Sequence, residues 1–416
     1  MTNCGIDIIE ISRIEKALKS NSSFLTKVFS EEEIAYFHSH GSRTESLAGF
    51  FAAKEAFSKY VGTGISGFGF SDISVSHTPE GKPYLKFKGN TVNASLSISH
   101  NKDTAVAVVC GNGSTSLKEQ PQSEALPPSL MLEMKSLVPS RPAHSHKGDF
   151  GKLLIIAGSR GMTGAAVLSA YSALRTGAGL VTLATAHTER AVAASFYPEI
   201  ITEALESEDG IISSSAIDKI LYLAQGKDAI VFGPGLGQSA HILTILQSLL
   251  TGYSGTLVID ADGLNALSQN IEILKNRTCN LILTPHPGEM ARLTGKPTSF
   301  IQKNRLDVAR EFSQKHKVCL VLKGNETIVS GEDGTFFLNP SGNPGMATAG
   351  TGDVLAGTIA AFSGQGLLPF DAAKLGVFLH GLAGDEAAAR LGQHGIIATD
   401  VANELPTSLN KILNFI

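Results

Sequence analysis

Between residues 152 and 323, short apolar runs of strand length alternate with segments of helical periodicity, and this alternation limits the possible folds more than any other feature of the chain. The runs are 152–157, 180–184, 229–233, 256–260, 281–284 and 318–323, with helix patterns such as 165–176 and 241–250 between them. Strands that are apolar along their whole length, rather than at every second residue, have both faces covered. The pattern predicts an α/β domain with a mostly parallel sheet and helices on its two sides.

Ahead of this region, residues 111–142 include a polar, Pro-containing stretch too poor in apolar residues to bury a core, which reads as a linker. A strand over 5–9, helices over 11–19 and 45–60, and a hairpin from 95–99 and 104–109 describe a separate α+β domain before it. The expected organisation is a domain over 1–112, a linker over 113–129 and the larger domain over 130–416.

The 34 basic and 38 acidic residues give a net charge of −4, so no basic field points to nucleic acid or to an anionic membrane surface. No apolar run approaches the ~20 residues of a membrane span. Cys4, Cys110, Cys279 and Cys319 show no C-x-x-C spacing, and Asp7 and Glu10 interrupt the apolar start of the chain. A reduced, cytoplasmic protein is expected.

The chemistry concentrates at Gly350-Thr351-Gly352-Asp353. A Gly-Thr-Gly turn opening a helix presents free backbone N–H groups to an anion, and the adjoining Asp353 can take a hydroxyl proton; the pattern suits phosphoryl transfer. In a parallel sheet, ligands collect beyond the carboxyl ends of the strands. Four further loops fall there: 158–164, Gly233-Pro234-Gly235, Asp260-Ala261-Asp262-Gly263 and Thr284-Pro285-His286-Pro287-Gly288-Glu289. Lys323-Gly324-Asn325-Glu326-Thr327 also ends a strand, with a lysine suited to phosphates and a glycine that admits close backbone approach.

His146-Lys147-Gly148-Asp149-Phe150-Gly151, His286-Pro287-Gly288-Glu289, Lys323 to Thr327, Asn343-Pro344-Gly345-Met346-Ala347-Thr348 and Gly350 to Asp353 together resemble the ADP-dependent NAD(P)H-hydrate dehydratases. The resemblance covers roughly residue 130 to the C-terminus. It implies a ribokinase-like fold and repair of NAD(P)H hydrate, in which ADP or ATP phosphorylates the C6 hydroxyl and phosphate is then eliminated. By position it implies Asp353 as the base and Gly350, Thr351 and Gly352 as the anion hole. Lys323, Gly324, Asn325, Glu326, Thr327 and Gly352 would bind the nucleotide, and Ala165, Ala166, Gly235, His286 and Asp353 the cofactor hydrate. Ala349 stands where the family commonly has glycine, and its φ is expected to be negative. The competing reading is a ribokinase-like small-molecule kinase joined to a non-catalytic oligomerising N-terminal module. His286 to Glu289 argue against it, as does the absence of room after the first strand for a β lid.

In the first domain Gly5-Ile6-Asp7-Ile8 puts a carboxylate on a strand, and Glu55 and Lys59 stand one helical turn apart. Taken alone, the latter is an ordinary solvated i,i+4 pair. Gly5 to Ile8, 48–56, Gly62-Thr63-Gly64-Ile65, Gly81-Lys82-Pro83-Tyr84 and Ser97-Ile98-Ser99-His100 closely resemble holo-acyl-carrier-protein synthase. That family transfers 4′-phosphopantetheine from coenzyme A to a serine of acyl carrier protein, with Mg2+, at sites shared in a trimer, so a homo-oligomer is implied. Asp7 and Glu55 would be Mg2+ ligands, and Lys59 and His100 coenzyme A contacts. Arg13, Lys16 and Lys19 form a basic stripe suited to an acidic carrier protein. Phe50 departs from the family, which usually has Arg there.

Overall fold

The structure is a computed structural model that describes residues 2–20, 23–61, 69–78, 81–92, 94–112 and 126–415. Gly62 to Ile65 and linker residues 113–125 lie outside the described residues. The chain divides into two compact units, Met1–Gln122 and Ser123–Ile416.

In the first unit, Thr2–Glu10 pairs antiparallel with Thr104–Asn112, which pairs antiparallel with Ser95–His100. The Thr44–Val61 helix packs on this sheet. Gly5 permits the contact, since a Cβ there would fall 2.0 Å from the Ala56 carbonyl oxygen and 2.4 Å from the Tyr60 nitrogen. The helices Phe24–Val28 and Glu31–Ser39 were not foreseen, nor were two further features. One is a second sheet of Ile73–His77, Pro83–Phe87 and Asn90–Thr91. The other is a buried ion pair, Lys54 Nζ to Glu33 Oε2 at 2.7 Å, both side chains fully buried. Lys54 also donates to the carbonyl oxygens of Val28, Phe70 and Ile73, and Glu33 accepts from the Val75 N–H, so the pair stitches helix to second sheet.

The expectation of reduced cysteines differs from the structure at one pair. Cys4 and Cys110 are opposed on neighbouring antiparallel strands with Cα atoms 4.4 Å apart, and they form a disulfide. Cys279 and Cys319 are buried thiols.

The second unit carries a nine-stranded sheet in the order Phe336–Leu338, Ile328–Ser330, Cys319–Leu322, Asn280–Leu283, Thr256–Ile259, Ala229–Phe232, Lys152–Ile156, Leu180–Ala186, Ile201–Leu205. It is parallel except at the Ile328–Ser330 and Phe336–Leu338 edge. Side chains alternate between two cores: Leu153 and Ile155 enter one, Leu154 and Ile156 the other, all without exposure. This is why the central strands read as unbroken apolar runs. The Thr351–Gly364 helix runs through the first core, packed so closely on Thr163–Arg175 that a Cβ on Gly357 would lie 2.1 Å from the Ser169 carbonyl oxygen. Among the described residues, no helix is long and apolar enough to cross a membrane.

Candidate functional site

The strand ends of the larger unit deliver their polar residues to one place. Asp260, just past Thr256–Ile259, is buried and accepts from Thr284 Oγ1 at 2.8 Å. Lys323, just past Cys319–Leu322, places Nζ 2.6 Å from Asp260 Oδ1 and 3.9 Å from Glu289 Oε2. The loop carrying Lys323 is pinned by Arg305, which donates to the carbonyl oxygens of Leu322, Lys323 and Glu326.

The Gly-Thr-Gly turn meets this ion pair. Gly350 is the left-handed residue, with φ of 90°, and it caps the Thr351–Gly364 helix without a side-chain acceptor. Ala349 is not among the residues with positive φ, as expected. The Thr351 hydroxyl ties the turn back to the carbonyl oxygens of Met346 and Thr348. First-turn N–H groups lack intrahelical acceptors, so this end suits an anion. A Cβ on Gly352 would sit 3.4 Å from Lys323 Nζ, which puts the turn beside the lysine.

Asp353 follows in the first helical turn, and its backbone carbonyl oxygen accepts from Ser169 Oγ at 3.0 Å. Burial pushes its carboxyl up to about 7; the Asp260 charge adds to the rise and Lys323 opposes it. Glu289 is likewise raised to about 7, chiefly by burial, against the pull of Lys323. Three carboxylates around one lysine thus hold two groups poised near neutrality, a suitable state for taking and releasing a proton.

His286 caps the Pro287–Thr294 helix through Nδ1, which accepts from the backbone N–H groups of Gly288 and Glu289. The neutral ring therefore carries its proton on Nε2, which lies 3.4 Å from Glu289 Oε1. Burial and the Lys323 charge hold His286 below the usual histidine range. Gly235, at φ of 60°, abuts Ala165, since a Cβ on Gly235 would stand 3.0 Å from the Ala165 Cβ. Ala166 is fully buried beneath Gly158, so of this pair Ala165 is the accessible one.

Lys323 to Thr327, Thr351 and Gly352 line a cavity of about 440 Å3. Asn343, Pro344, Met346 and Ala347 of the 343–348 motif line it too, beside Gly342. There Asp385 accepts from the Gly342 N–H and from Asn343 Nδ2, both at 2.9 Å, fixing the loop that closes the cavity. The signal in sequence was an Asp directly after Gly381-Leu382-Ala383-Gly384 within the Pro369–Leu391 helix. Asp260 and Glu289 were visible in motifs but had no assigned role.

In the first unit Asp7 and Lys59 meet at 2.8 Å, and Lys59 also donates to the Ile6 carbonyl oxygen. The lysine pairs with the strand carboxylate, and no ion pair joins it to Glu55 among the described residues. Burial and then the Asp7 charge raise the Glu55 carboxyl. Asp7 and Glu55 thus repel each other in a way that a cation would relieve. Among the described residues no group of three or more acidic, His or Cys side chains gathers to hold a metal. Two carboxylates nonetheless fit Mg2+, which fills its shell with water and substrate oxygens. His100 shares a sheet with Asp7 and pairs with Ala105; it is exposed, and among the described residues no hydrogen bond or ion pair joins it to Asp7, Glu55 or Lys59. Phe50 is buried against the rings of Tyr36 and His77, at 5.5 and 6.0 Å, so it serves packing where a cation was expected. Arg13, Lys16 and Lys19 are exposed.

Comparison with known proteins finds relatives of both units. The chain is 38% identical over 287 residues to the ADP-dependent (S)-NAD(P)H-hydrate dehydratase of Neisseria meningitidis, covering 68% of this chain and 92% of that protein. It is 43% identical over 279 residues to the bifunctional NAD(P)H-hydrate repair enzyme Nnr of Moorella thermoacetica, covering 67% of this chain and 53% of the relative. It thus spans about half the length of that relative. The ADP/ATP-dependent NAD(P)H-hydrate dehydratase of Bacillus subtilis, co-crystallised with ATP and Mg2+, superposes with a TM-score of 0.61 at 31% identity, covering 68% and 97% of the two chains. The larger unit therefore has the ribokinase-like fold. Residues 3–110 match the 4′-phosphopantetheinyl transferase superfamily model, and residues 153–407 match that of the NAD(P)H-hydrate dehydratases. Through this larger segment the chain belongs to the NAD(P)H-hydrate dehydratase family.

Proposed function

We propose that the chain is a bifunctional enzyme. Its larger domain, over 130–416, restores NAD(P)H from the hydrate. ADP gives a phosphoryl group to the C6 hydroxyl and leaves as AMP, Asp353 takes the hydroxyl proton, and phosphate is then eliminated from the ring. Lys323, with Thr351 and Gly352, receives the phosphate charge, while Ala165, Gly235 and His286 hold the dinucleotide. The observation that carries this reading is the carboxyl of Asp353, poised at about 7 in the first turn beside Lys323 and Gly352. A carboxylate next to an anion hole is what phosphoryl transfer to a hydroxyl needs. The same geometry would serve a small-molecule kinase, but the family match does not favour one.

The domain over 1–112 transfers 4′-phosphopantetheine from coenzyme A to a serine of acyl carrier protein. Asp7 and Glu55 would hold Mg2+, which when bound polarises the diphosphate. Lys59 neutralises coenzyme A phosphate, with His100 as a further contact. Arg13, Lys16 and Lys19 offer the carrier protein a basic face. On the side of the sheet away from the helix, Ile6 and Ile8 are 58% and 66% exposed beside Val106 and Val108, an apolar face that a second copy would cover. This supports a homo-oligomer.

The test is NADH hydrate with ADP and Mg2+, followed by regained NADH absorbance, for wild type and Asp353→Asn. ADP-dependent recovery that disappears in the variant is expected; no recovery by wild type would sink the repair reading. The mass of acyl carrier protein after incubation with coenzyme A, for wild type and Glu55→Gln, tests the first domain separately.

A further inference from the structure

The Pro369–Leu391 helix is pressed onto the loop over 339–346 by residues with no bulk to spare. A Cβ on Gly381 would fall 2.2 Å from Ser341 Oγ, and one on Gly384 would fall 2.1 Å from Met346 Sδ. Asp385 then fastens the same loop through Gly342 and Asn343. The sequence His380-Gly381-Leu382-Ala383-Gly384-Asp385 is therefore built to hold one helix face against the wall of the cavity that also contains Lys323, Thr351 and Gly352.

His380 opens that sequence. It lines the cavity and is 9% exposed, and its Nε2 is sealed from solvent without a hydrogen-bond partner. Burial holds the ring down to about 4, opposed by a hydrogen bond with the Thr351 backbone and aided by the Lys323 charge, so it is neutral. Its helix neighbours Phe378, Leu379 and Leu382 are buried apolar residues, and packing alone would be served by another of them. A buried polar atom left unpaired is costly, and such atoms cluster where a ligand completes the pairing.

We propose that His380 is a further ligand of the nucleoside diphosphate, making a hydrogen bond through Nε2 once the nucleotide enters the cavity. The inference rests on the reading of this cavity as the nucleotide site. The Gly381 and Gly384 contacts set the depth at which the imidazole meets the ligand, and Asp385 keeps the facing loop closed over it.

The experiment is calorimetric titration of ADP into the full chain, for wild type, His380→Phe and His380→Gln, with the ligand-free melting temperature of each. His380→Phe keeps a flat ring and removes the polar nitrogen; His380→Gln restores a polar group near Nε2. The expected result is ADP binding weakened about tenfold or more in His380→Phe and by less in His380→Gln, with no fall in the ligand-free melting temperature of His380→Phe. ADP affinity within twofold of wild type in His380→Phe overturns the proposal. If His380→Phe fails to fold, His380→Gln and His380→Leu decide it by the same criterion, equal affinity in both being the adverse outcome. Absence of ADP binding by wild type is a different result: it removes the nucleotide site itself, and this inference with it.

Discussion

Lys323 and Asp260, 63 residues apart in sequence, form the ion pair on which the larger domain's site is built, with Nζ and Oδ1 2.6 Å apart. Coulomb attraction from Asp260 and then Glu289 outweighs the burial that would otherwise lower the lysine, and Lys323 stays above its ordinary range. Removing only the lysine leaves Asp260 buried beside Glu289 and Asp353 with no countercharge. Lys323→Met is therefore expected to destabilise the domain by about 3–5 kcal/mol. Lys323→Met combined with Asp260→Asn should cost clearly less than the sum of the two single changes. Urea unfolding of the four proteins measures the coupling, and strict additivity would show that the pair carries no mutual stabilisation.

Asp353 makes the domain less stable as pH rises. Its carboxyl is raised from 3.8 to about 7 in the folded state, so the folded protein binds the proton more tightly than the unfolded chain. The contribution is fully present below the unfolded value and is lost as pH climbs through about 7. At ~1.4 kcal/mol per pH unit, ionising this group in place costs up to about 4 kcal/mol. Asp353→Asn escapes that cost, so its melting temperature should exceed wild type by roughly 4–8 °C at pH 8 and by much less at pH 5. Turnover should run the other way: the wild-type rate should rise with pH through about 7, as expected of a base that must be ionised. A variant no more stable than wild type at pH 8 would argue against the raised carboxyl.

How much of this was readable in advance follows from chain locality. The central parallel strands were legible because Ala229–Phe232, Thr256–Ile259 and Cys319–Leu322 are buried at every position and, Thr256 aside, apolar. The edge strands Ile328–Ser330 and Phe336–Leu338 are three residues each, and the two-residue Asn90–Thr91 strand is wholly exposed; neither pattern carries a periodic signal. The turn at Gly350 to Asp353 was legible because its anion-binding chemistry lies in consecutive residues. The Lys323 to Asp260 pair and the Asp385 clasp join residues from distant segments, and no spacing rule connects them. His380 was hidden within the apolar and glycine stretch 375–384 of its helix.

Gly350 and Gly352 are expected to fail differently when given a methyl group. At Gly350 the backbone is left-handed, and the new Cβ would lie 2.6 Å from Leu168 Cδ1. Gly350→Ala should therefore cost stability, about 1–3 kcal/mol. Gly352 lies inside the helix without positive φ, and its Cβ would meet Lys323 Nζ at an ordinary 3.4 Å. Gly352→Ala should fold as well as wild type but crowd an incoming phosphate, raising the KM for ADP roughly tenfold or more while the hydrate KM changes little. Melting curves alongside initial rates separate the two, and equal behaviour of both variants would count against the anion-hole reading.

Gly5 offers a test of the first domain that leaves the second as an internal control. Its missing side chain lets the Thr44–Val61 helix approach until the Ala56 carbonyl oxygen is 2.0 Å from where a Cβ would stand. That approach brings Lys59 to Asp7 and raises the Glu55 carboxyl beside it. The obstructing atoms are backbone, which cannot swing aside as a flexible side chain would. Gly5→Ala should therefore push strand and helix apart, destabilise the domain by about 1–3 kcal/mol, and separate Asp7 from Glu55. Mg2+-dependent phosphopantetheinyl transfer should fall at least tenfold, because two metal ligands displaced by even 1 Å no longer share one ion. NADH-hydrate repair by the same preparation should be unchanged, since the affected contacts lie wholly within residues 2–61. Transfer at the wild-type rate in Gly5→Ala would show that the close approach at Gly5 is not what positions the carboxylates.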